Sequence, residues 1–191
     1  MGQGSASGVY YRREDYLGVA KRLLIDVVDF PVAVALSMLV LRAAAAVVPD
    51  LEDVPGAVPL LAGAPWFAYF VLLKRSRFRT LGYVVAGAQI VDLQGTRPGI
   101  FQLFGRLLFA LAGPLNFVFD LLWLTGDGDR QAFRDKFAST YVVRGNATPA
   151  GTGTIVLRTY MFWGMTFLFK EVVRGAARTT APAAPQEKAP H

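Results

Sequence analysis

The chain has 191 residues, of which 53% are apolar and only 18% are charged. Soluble domains carry about 25% charged residues, and the apolar residues here form runs too long for a small globular core, so an integral membrane protein is expected. The chain has no cysteine, so disulfides are excluded, and its one histidine is His191. Its net charge is +6, and the basic residues are concentrated beside the apolar runs. This placement favours a lipid bilayer over nucleic acid as partner.

The N-terminal half predicts two transmembrane helices. Residues 1–17 are polar and are expected to form a cytoplasmic segment with no cleavable signal peptide. The first apolar run, residues 23–48, is about 39 Å long as a helix, and the second, residues 56–73, is about 27 Å. Basic residues flank the pair and an acidic loop separates the two runs, so the N-terminus is predicted to be cytoplasmic.

A third apolar run, residues 101–124, is interrupted at its centre by Gly113-Pro114. Proline removes a helical hydrogen bond, so the run forms either two half-length helices that enter and leave on one face or a single broken span. Residues 83–92 and 140–143 predict short strands on either side of it. Pairing of those strands on the cytoplasmic side would favour the two-helix interpretation.

The C-terminal part contains a last apolar stretch, residues 154–173, predicted to be a helix that either spans the bilayer or lies in its interface. The Ala- and Pro-rich residues 179–191 are expected to be disordered. The fold predicted is an all-α membrane protein with a short cytoplasmic β pair. Its parts are the N-terminal segment, a membrane domain (18–144), a membrane-associated helix (145–178) and the tail.

Charged residues within apolar helices are costly, at about 2.5 to 3.5 kcal/mol near the centre of a span, and therefore mark candidate sites. Arg22, Asp26 and Asp29 follow the spacing i, i+4, i+7 and share one helical face, which is expected to point inward. Two carboxylates one turn apart resist joint ionisation, so the pair could exchange protons or a small cation. The alternative is a structural ion pair in which Arg22 neutralises the acids.

Two further acids complete the candidate ion or substrate site. Asp120 lies one turn from Asn116 and either lines the same cavity or caps a broken helix. Asp135 lies in a polar stretch and by itself would pass for a solvated charge. The sequence contains no nucleophile–base pair, phosphate-binding loop, metal-ligand spacing or dinucleotide fingerprint. We therefore expect no enzymatic activity, no catalytic residue, no metal and no cofactor.

Three segments together are similar to a known family. They are Lys21-Arg22-Leu-Leu-Ile-Asp-Val-Val-Asp29, then Thr80-Leu-Gly82 through Gln89-Ile-Val-Asp92-Leu-Gln-Gly95 to Arg106, and Arg130-Gln-Ala-Phe-Arg-Asp135-Lys-Phe-Ala-Ser-Thr140-Tyr-Val-Val143. Over residues 18–144 the chain resembles the RDD family of small membrane proteins, named for one arginine and two aspartates. It departs from the family pattern at Tyr83, usually basic, at Arg134, commonly histidine, and at Ser139, commonly glycine.

The resemblance implies a membrane protein that transports ions or small ligands. We expect a multi-pass protein of a bacterial cytoplasmic (inner) membrane that moves a small cation or proton through Arg22, Asp26 and Asp29, with Asp135 at the cytoplasmic mouth. The alternative function is a non-transporting accessory or scaffold subunit of a larger membrane complex. Either function is compatible with a homo-oligomer or with another membrane-complex partner.

Overall fold

The computed structural model describes residues 6–112, 114–127, 129–162 and 164–174. A 3-10 turn (Leu51–Asp53) follows the first helix, and a π-helical segment (Ala68–Leu73) extends the second. The helices are α1 (Val19–Val47), α2 (Ala57–Phe67), α3 (Leu81–Val85), α4 (Ile100–Leu111), α5 (Pro114–Gly126) and α6 (Phe133–Phe137). The strands are β1 (Ser7–Tyr10), β2 (Ala88–Asp92), β3 (Thr140–Arg144), β4 (Gly151–Phe162) and β5 (Met165–Arg174).

Helix α1 has 29 residues, which at 1.5 Å per residue gives about 44 Å, enough to cross a bilayer with tilt. Among the described helices it alone is long and apolar enough to span a membrane. The buried residues of α1 recur along one stripe, and most of the others are exposed apolar side chains. The stripe consists of Arg22, Ile25, Asp29, Ala33 and Ser37, which confirms that the face carrying Arg22 and Asp29 points inward.

The second predicted span is shorter than a full crossing. Helix α2 ends at Phe67 and continues as the π-helical segment, so that Ala57–Leu73 is an apolar helix below the length of a candidate span. The prediction of two secure transmembrane helices is therefore corrected to one. The wider π turn buries Tyr69 and Val71 against the rest of the protein, and such turns often occur at functional sites.

The third apolar run folds as two helices, α4 and α5, in contact with each other. The break lies where Pro114 begins α5, a position that proline tolerates because the first turn needs no amide donor. The two-helix interpretation of residues 101–124 is thus the one observed.

Strands β2 and β3 pair antiparallel, with Gln89 opposite Val143 and Asp92 opposite Thr140, which confirms the predicted strand pair. Alternate residues of this ribbon face opposite sides. Ile90 and Val142 pack with the helices, whereas Val91 joins a second core next to the three-stranded sheet. The ribbon is therefore a central layer that connects the helices to that sheet.

The C-terminal segment predicted to be a helix is instead a β-hairpin, β4–β5, and β1 adds to it in the order β1-β4-β5. Its sequence is rich in β-branched and aromatic residues, and Gly164 occupies a left-handed conformation (φ 74°) beside the closing pair Phe162–Met165. The all-α fold class is therefore wrong: the protein combines helices, of which α1 is long and apolar enough to span a membrane, with two antiparallel sheets. The tail, residues 179–191, lies outside the described residues.

Candidate functional site

Asp29 is held by three hydrogen bonds from the segment that follows α2. The Tyr69 hydroxyl donates to Oδ1 (2.8 Å), the Thr80 hydroxyl to Oδ2 (2.6 Å) and the Gly82 amide to Oδ1 (2.7 Å). A side chain at Gly82 would have its Cβ 2.5 Å from the Ile25 carbonyl oxygen. Asp29 therefore fastens the start of α3 to α1, and only a glycine permits the close approach.

Asp135 is a fully buried acid that lies between two arginines. Its carboxylate forms ion pairs with Arg22 and Arg106, and Arg106 also donates to the Thr140 hydroxyl (2.8 Å). The Ala132 amide donates to the same carboxylate (3.1 Å). Burial alone would raise the pKa of Asp135, but the guanidinium charges of Arg106 and Arg22 outweigh it and hold the pKa well below its usual range. Asp135 is therefore a permanent anion at neutral pH.

Arg22 uses its remaining donors on backbone carbonyls. Its Nε donates to Leu17 (3.1 Å) and its second terminal nitrogen to Arg130 (2.7 Å). The interpretation that Arg22 neutralises Asp26 and Asp29 is wrong, because the carboxylate that pairs with Arg22 is that of Asp135 on α6. Arg22 instead joins the beginning of α1 to the loop before α6.

Arg134 connects the other two candidate acids. Its guanidinium lies 2.8 Å from Oδ2 of Asp26 and 2.9 Å from Oδ2 of Asp120, and its own amide donates to Asp120 (2.8 Å). Burial would lower the pKa of Arg134, but Asp26 and Asp120 raise it instead. One cation thus bridges two carboxylates, which lie on α1 and α5.

These charges border a cavity of about 470 Å³ between α1, α2, α4 and α5. The walls are mainly apolar and aromatic, and the polar groups that line the cavity come from α1, α4, α5, α6 and the residue that follows the π-helical segment. The lining residues used below are Asp26, Phe30, Trp66, Lys74, Arg106 and Arg134. A chamber of this size and character can enclose a small molecule.

Lys74 is the first residue beyond the apolar helix Ala57–Leu73, and it reaches the cavity. Its ammonium lies 4.5 Å from the centre of the Tyr83 ring and 5.4 Å from that of Phe70. Within the described part of the chain it forms no ion pair. The Nε of Arg106, a residue only 5% exposed, has no hydrogen-bond partner there either.

Burial, together with the positive charges of Arg106 and Arg134, lowers the pKa of Lys74 to about 7 against the opposing effect of Asp29 and Asp26. The ammonium is therefore divided between its charged and neutral forms near neutral pH. A lysine in this state can gain a proton when an anion approaches.

Comparison with known families identifies the family of the region that contains these ion pairs and hydrogen bonds. The model of the RDD family matches residues 16–139. The chain belongs to the RDD family. It is accordingly a membrane protein, and no match was found among curated proteins or solved structures. The RDD region spans α1 to α6, so β1 and the strands β3, β4 and β5 lie outside it.

The five residues chosen from the sequence form three separate groups, and among them only Asp26 and Asp120 line the cavity. Asp29 binds hydroxyl and amide donors, Arg22 and Asp135 form a pair with Arg106, and Asp26 meets Asp120 through Arg134. Asp26 and Asp29, expected to share a proton, are thus bound by different groups. Among the described residues no cluster of three or more acids or histidines is placed to hold a metal ion.

Three residues of this site had not been chosen from the sequence. Arg106 could have been found, because an arginine inside the apolar helix α4 requires a partner. Arg134 could have been found as a basic residue beside Asp135 at a position where the family commonly has histidine. Lys74 had been counted only as part of the basic flank, and nothing in its neighbours reveals that it faces a cavity.

Proposed function

We propose that this RDD protein binds a small solute that carries one acidic group on an apolar body, and that this binding is a step in proton-coupled transport. The observation that carries the proposal is the cavity: Lys74, which has no ion-pair partner among the described residues, and Arg106 line a chamber with aromatic walls. An anion would give Lys74 a counter-charge, whereas a cation would compete with Arg134 for Asp26 and Asp120.

The charges favour an anion over the small cation expected from the sequence. Asp135 is shared by two guanidinium groups, so Arg106 retains positive charge toward the cavity. Asp26 and Asp120 are both within ion-pair distance of Arg134. An acidic solute can therefore enter without breaking an existing ion pair, and its apolar part would contact Phe30 and Trp66.

Proton coupling follows from Lys74. Because its pKa is about 7, anion binding would draw a proton onto the ammonium, and release of the anion would return it. Solute and proton would then move together. The arginines cannot play this part, since they stay charged at every physiological pH.

We place the protein in a bacterial inner membrane as a multi-pass protein with its N-terminus in the cytoplasm. Helix α1 would cross the bilayer fully, and the shorter helix Ala57–Leu73, about 26 Å long, would return only where the bilayer is locally thinned. Helices α4 and α5 are too short to cross and would enter and leave from the cytoplasmic side. Basic residues at 74–79 and 12–22 support this orientation.

The test is binding of 2-naphthoate to the protein in lipid nanodiscs, compared with 2-naphthylmethylammonium, which has nearly the same body and the opposite charge. We expect saturable binding of naphthoate only, weakened at least tenfold by Lys74→Met, because a charge-assisted bond is lost. Lys21→Met removes the same charge from an exposed position of α1 and should leave binding unchanged. Equal binding of both probes would refute the proposal.

Transport itself is tested in proteoliposomes. Naphthoate uptake should be faster with the external pH one unit below the internal pH than without a gradient, and Lys74→Met should remove the difference. If the protein bound naphthoate but uptake did not depend on the pH gradient, the protein would bind the solute without proton-coupled transport, and that part of the proposal would be refuted.

The alternative of a non-transporting accessory subunit draws on the network itself. Asp29 and Asp135 are fully engaged by hydrogen bonds and ion pairs, as expected of residues that fix a fold for docking to a larger complex or to copies of the same chain. Native mass measurement after gentle solubilisation distinguishes the two functions. A stoichiometric partner together with no naphthoate binding would favour the accessory role.

A further inference from the structure

The hairpin β4–β5 has a long tip without charge. From Thr159 to Leu168 the sequence contains no charged residue, and the first charges met from the tip are Arg158 on one strand and Lys170 on the other. In the strand register Leu157 lies opposite Lys170, and Arg158 opposite Phe169, so the two cations flank the hairpin at one level. The tip extends about 13 Å beyond that level, at 3.3 Å per residue.

One face of this tip packs against the RDD region. The ring of Phe167 lies 5.3 Å from that of Phe133, which in turn lies 5.3 Å from Phe109 near the end of α4. Tyr160 contacts Trp123 of α5 at 5.4 Å. The hairpin therefore packs against α5 and α6 of the RDD region, and Phe133 connects it to the end of α4.

The opposite face of the tip is apolar and uncovered. The exposed apolar side chains on that face are Leu157 (66%), Met161 (80%) and Leu168 (64%), and Met165 (55%) is exposed beside the turn on the packed face. Contiguous apolar surface of this kind on a protein usually marks contact with a membrane or a partner. Lys170 lies on the same face beside Leu157, and Arg158 on the other face is 57% exposed although it is 3.5 Å from Glu171. Cations placed in this way attract anionic lipid headgroups.

We propose that the β4–β5 tip inserts into the headgroup region of an anionic bilayer and holds the hairpin against the membrane that contains α1. This inference uses the topology proposed above, in which α4 and α5 enter the bilayer from the cytoplasmic side, but it is independent of the cavity ligand. The tip residues and both cations lie beyond residues 16–139, so the anchor is an addition of this chain to the RDD region.

The backbone limits the depth of insertion. Strand β1 covers β4 only over Gly151–Thr154, so in the described structure the outer edge of β4 from Ile155 to the tip, like that of β5, has no strand partner. Unpaired amides and carbonyls are costly in hydrocarbon but not among hydrated headgroups. The hairpin therefore lies at the interface and does not cross the bilayer.

The test uses fluorophores attached to single cysteines, because the chain has no native cysteine. The full chain is reconstituted in vesicles of phosphatidylcholine and phosphatidylglycerol, and nitroxide lipids quench at shallow or deep positions. We expect Met161→Cys to be quenched at least twofold more by the shallow lipid than Thr152→Cys, which is exposed on the same strand at the β1 end. The double variant Arg158→Gln/Lys170→Gln should lose at least half of that quenching.

Two further labels separate this inference from the proposed topology. The fluorophore at Leu39→Cys on α1 should be quenched by the deep nitroxide lipid. The fluorophore at Ala112→Cys, at the end of α4, should be quenched by the shallow or the deep nitroxide lipid. If both are quenched but Met161→Cys is not, the hairpin anchor is overturned while the topology stands. Disulfide cross-linking of Met161→Cys between two copies, without lipid quenching, would likewise overturn it in favour of a dimer contact.

Discussion

Arg22 and Asp135 are 113 residues apart in the sequence and form an ion pair inside the protein, with exposed fractions of 3% and 0%. The pair joins the N-terminal end of α1 to α6, next to the strand β3. Arg106 completes it from α4. The positions of three helices around the cavity therefore depend on one carboxylate.

Replacing that carboxylate should destabilise the protein strongly. In Asp135→Asn two buried guanidinium groups lose their counter-charge, and breaking a buried pair in this way costs about 3 to 5 kcal/mol. The measurement is the free energy of unfolding in detergent micelles. The control is Arg174→Gln, which breaks a half-exposed pair with Asp129 and should cost at most about 1 kcal/mol. Similar losses in the two variants would contradict the network described.

The same carboxylate predicts the response to acid. The folded-state pKa of Asp135 lies below its unfolded value of about 3.9, so its contribution to stability is present above about pH 4 and is lost as the pH falls through the folded-state pKa. Below pH 4 the unfolding free energy of the wild type should therefore fall more steeply than that of Asp135→Asn, by up to about 1.4 kcal/mol per pH unit. If the unfolding free energies of the two proteins fell equally below pH 4, Asp135 would not be held as an anion in the folded protein.

Gly82→Ala should be destabilising although alanine favours helices. Its Cβ would lie 2.5 Å from the Ile25 carbonyl oxygen and 2.8 Å from Cγ of Asp29, so α3 must move away from α1 at a cost of about 1 to 3 kcal/mol. Gly63→Ala in α2 meets nothing within 4 Å and should be neutral or stabilising by up to about 1 kcal/mol. Thermal unfolding of both variants is the measurement, and an equally stable Gly82→Ala would contradict the close packing.

Phe133 should carry much of the contact between the hairpin and the helices. Its ring lies 5.2 Å from that of Trp123 and 5.5 Å from that of Phe169, and Phe→Ala in such a cluster costs about 3 to 5 kcal/mol. Phe137→Ala, on the same helix but 61% exposed, is the matched control and should cost far less. Limited proteolysis within β4–β5 should accelerate in Phe133→Ala alone, and equal rates in both variants would contradict this packing.

The spacing of charged residues and the position of a proline predicted features of the helical part of the fold. The i, i+4, i+7 spacing of Arg22, Asp26 and Asp29 predicted the inward face of α1, and Pro114 marked the break between α4 and α5. The C-terminal segment was mistaken for a helix because a long apolar run with charges at its ends fits either state. Its β-branched and aromatic residues and Gly164 were the signals that favoured a hairpin.

The site was harder to predict than the helices because its contacts are distant in sequence. An acid within an apolar helix predicts that a partner exists, but not which partner. Asp29 pairs with Thr80 and Asp26 with Arg134, in segments whose approach depends on the whole tertiary fold. Lys74 faces a cavity only because several helices pack around it, so no pattern in the neighbouring sequence predicts that position.

The central claim is that Lys74 must be protonated for an acidic solute to bind, and the pH dependence of naphthoate affinity tests it most directly. With a lysine pKa of about 7, the protonated fraction falls from about nine-tenths at pH 6 to about one-tenth at pH 8, so the dissociation constant should rise about tenfold. Lys74→Arg, which stays charged, should bind with little change across that range. An affinity of the wild-type protein that is independent of pH between 6 and 8 would contradict the account.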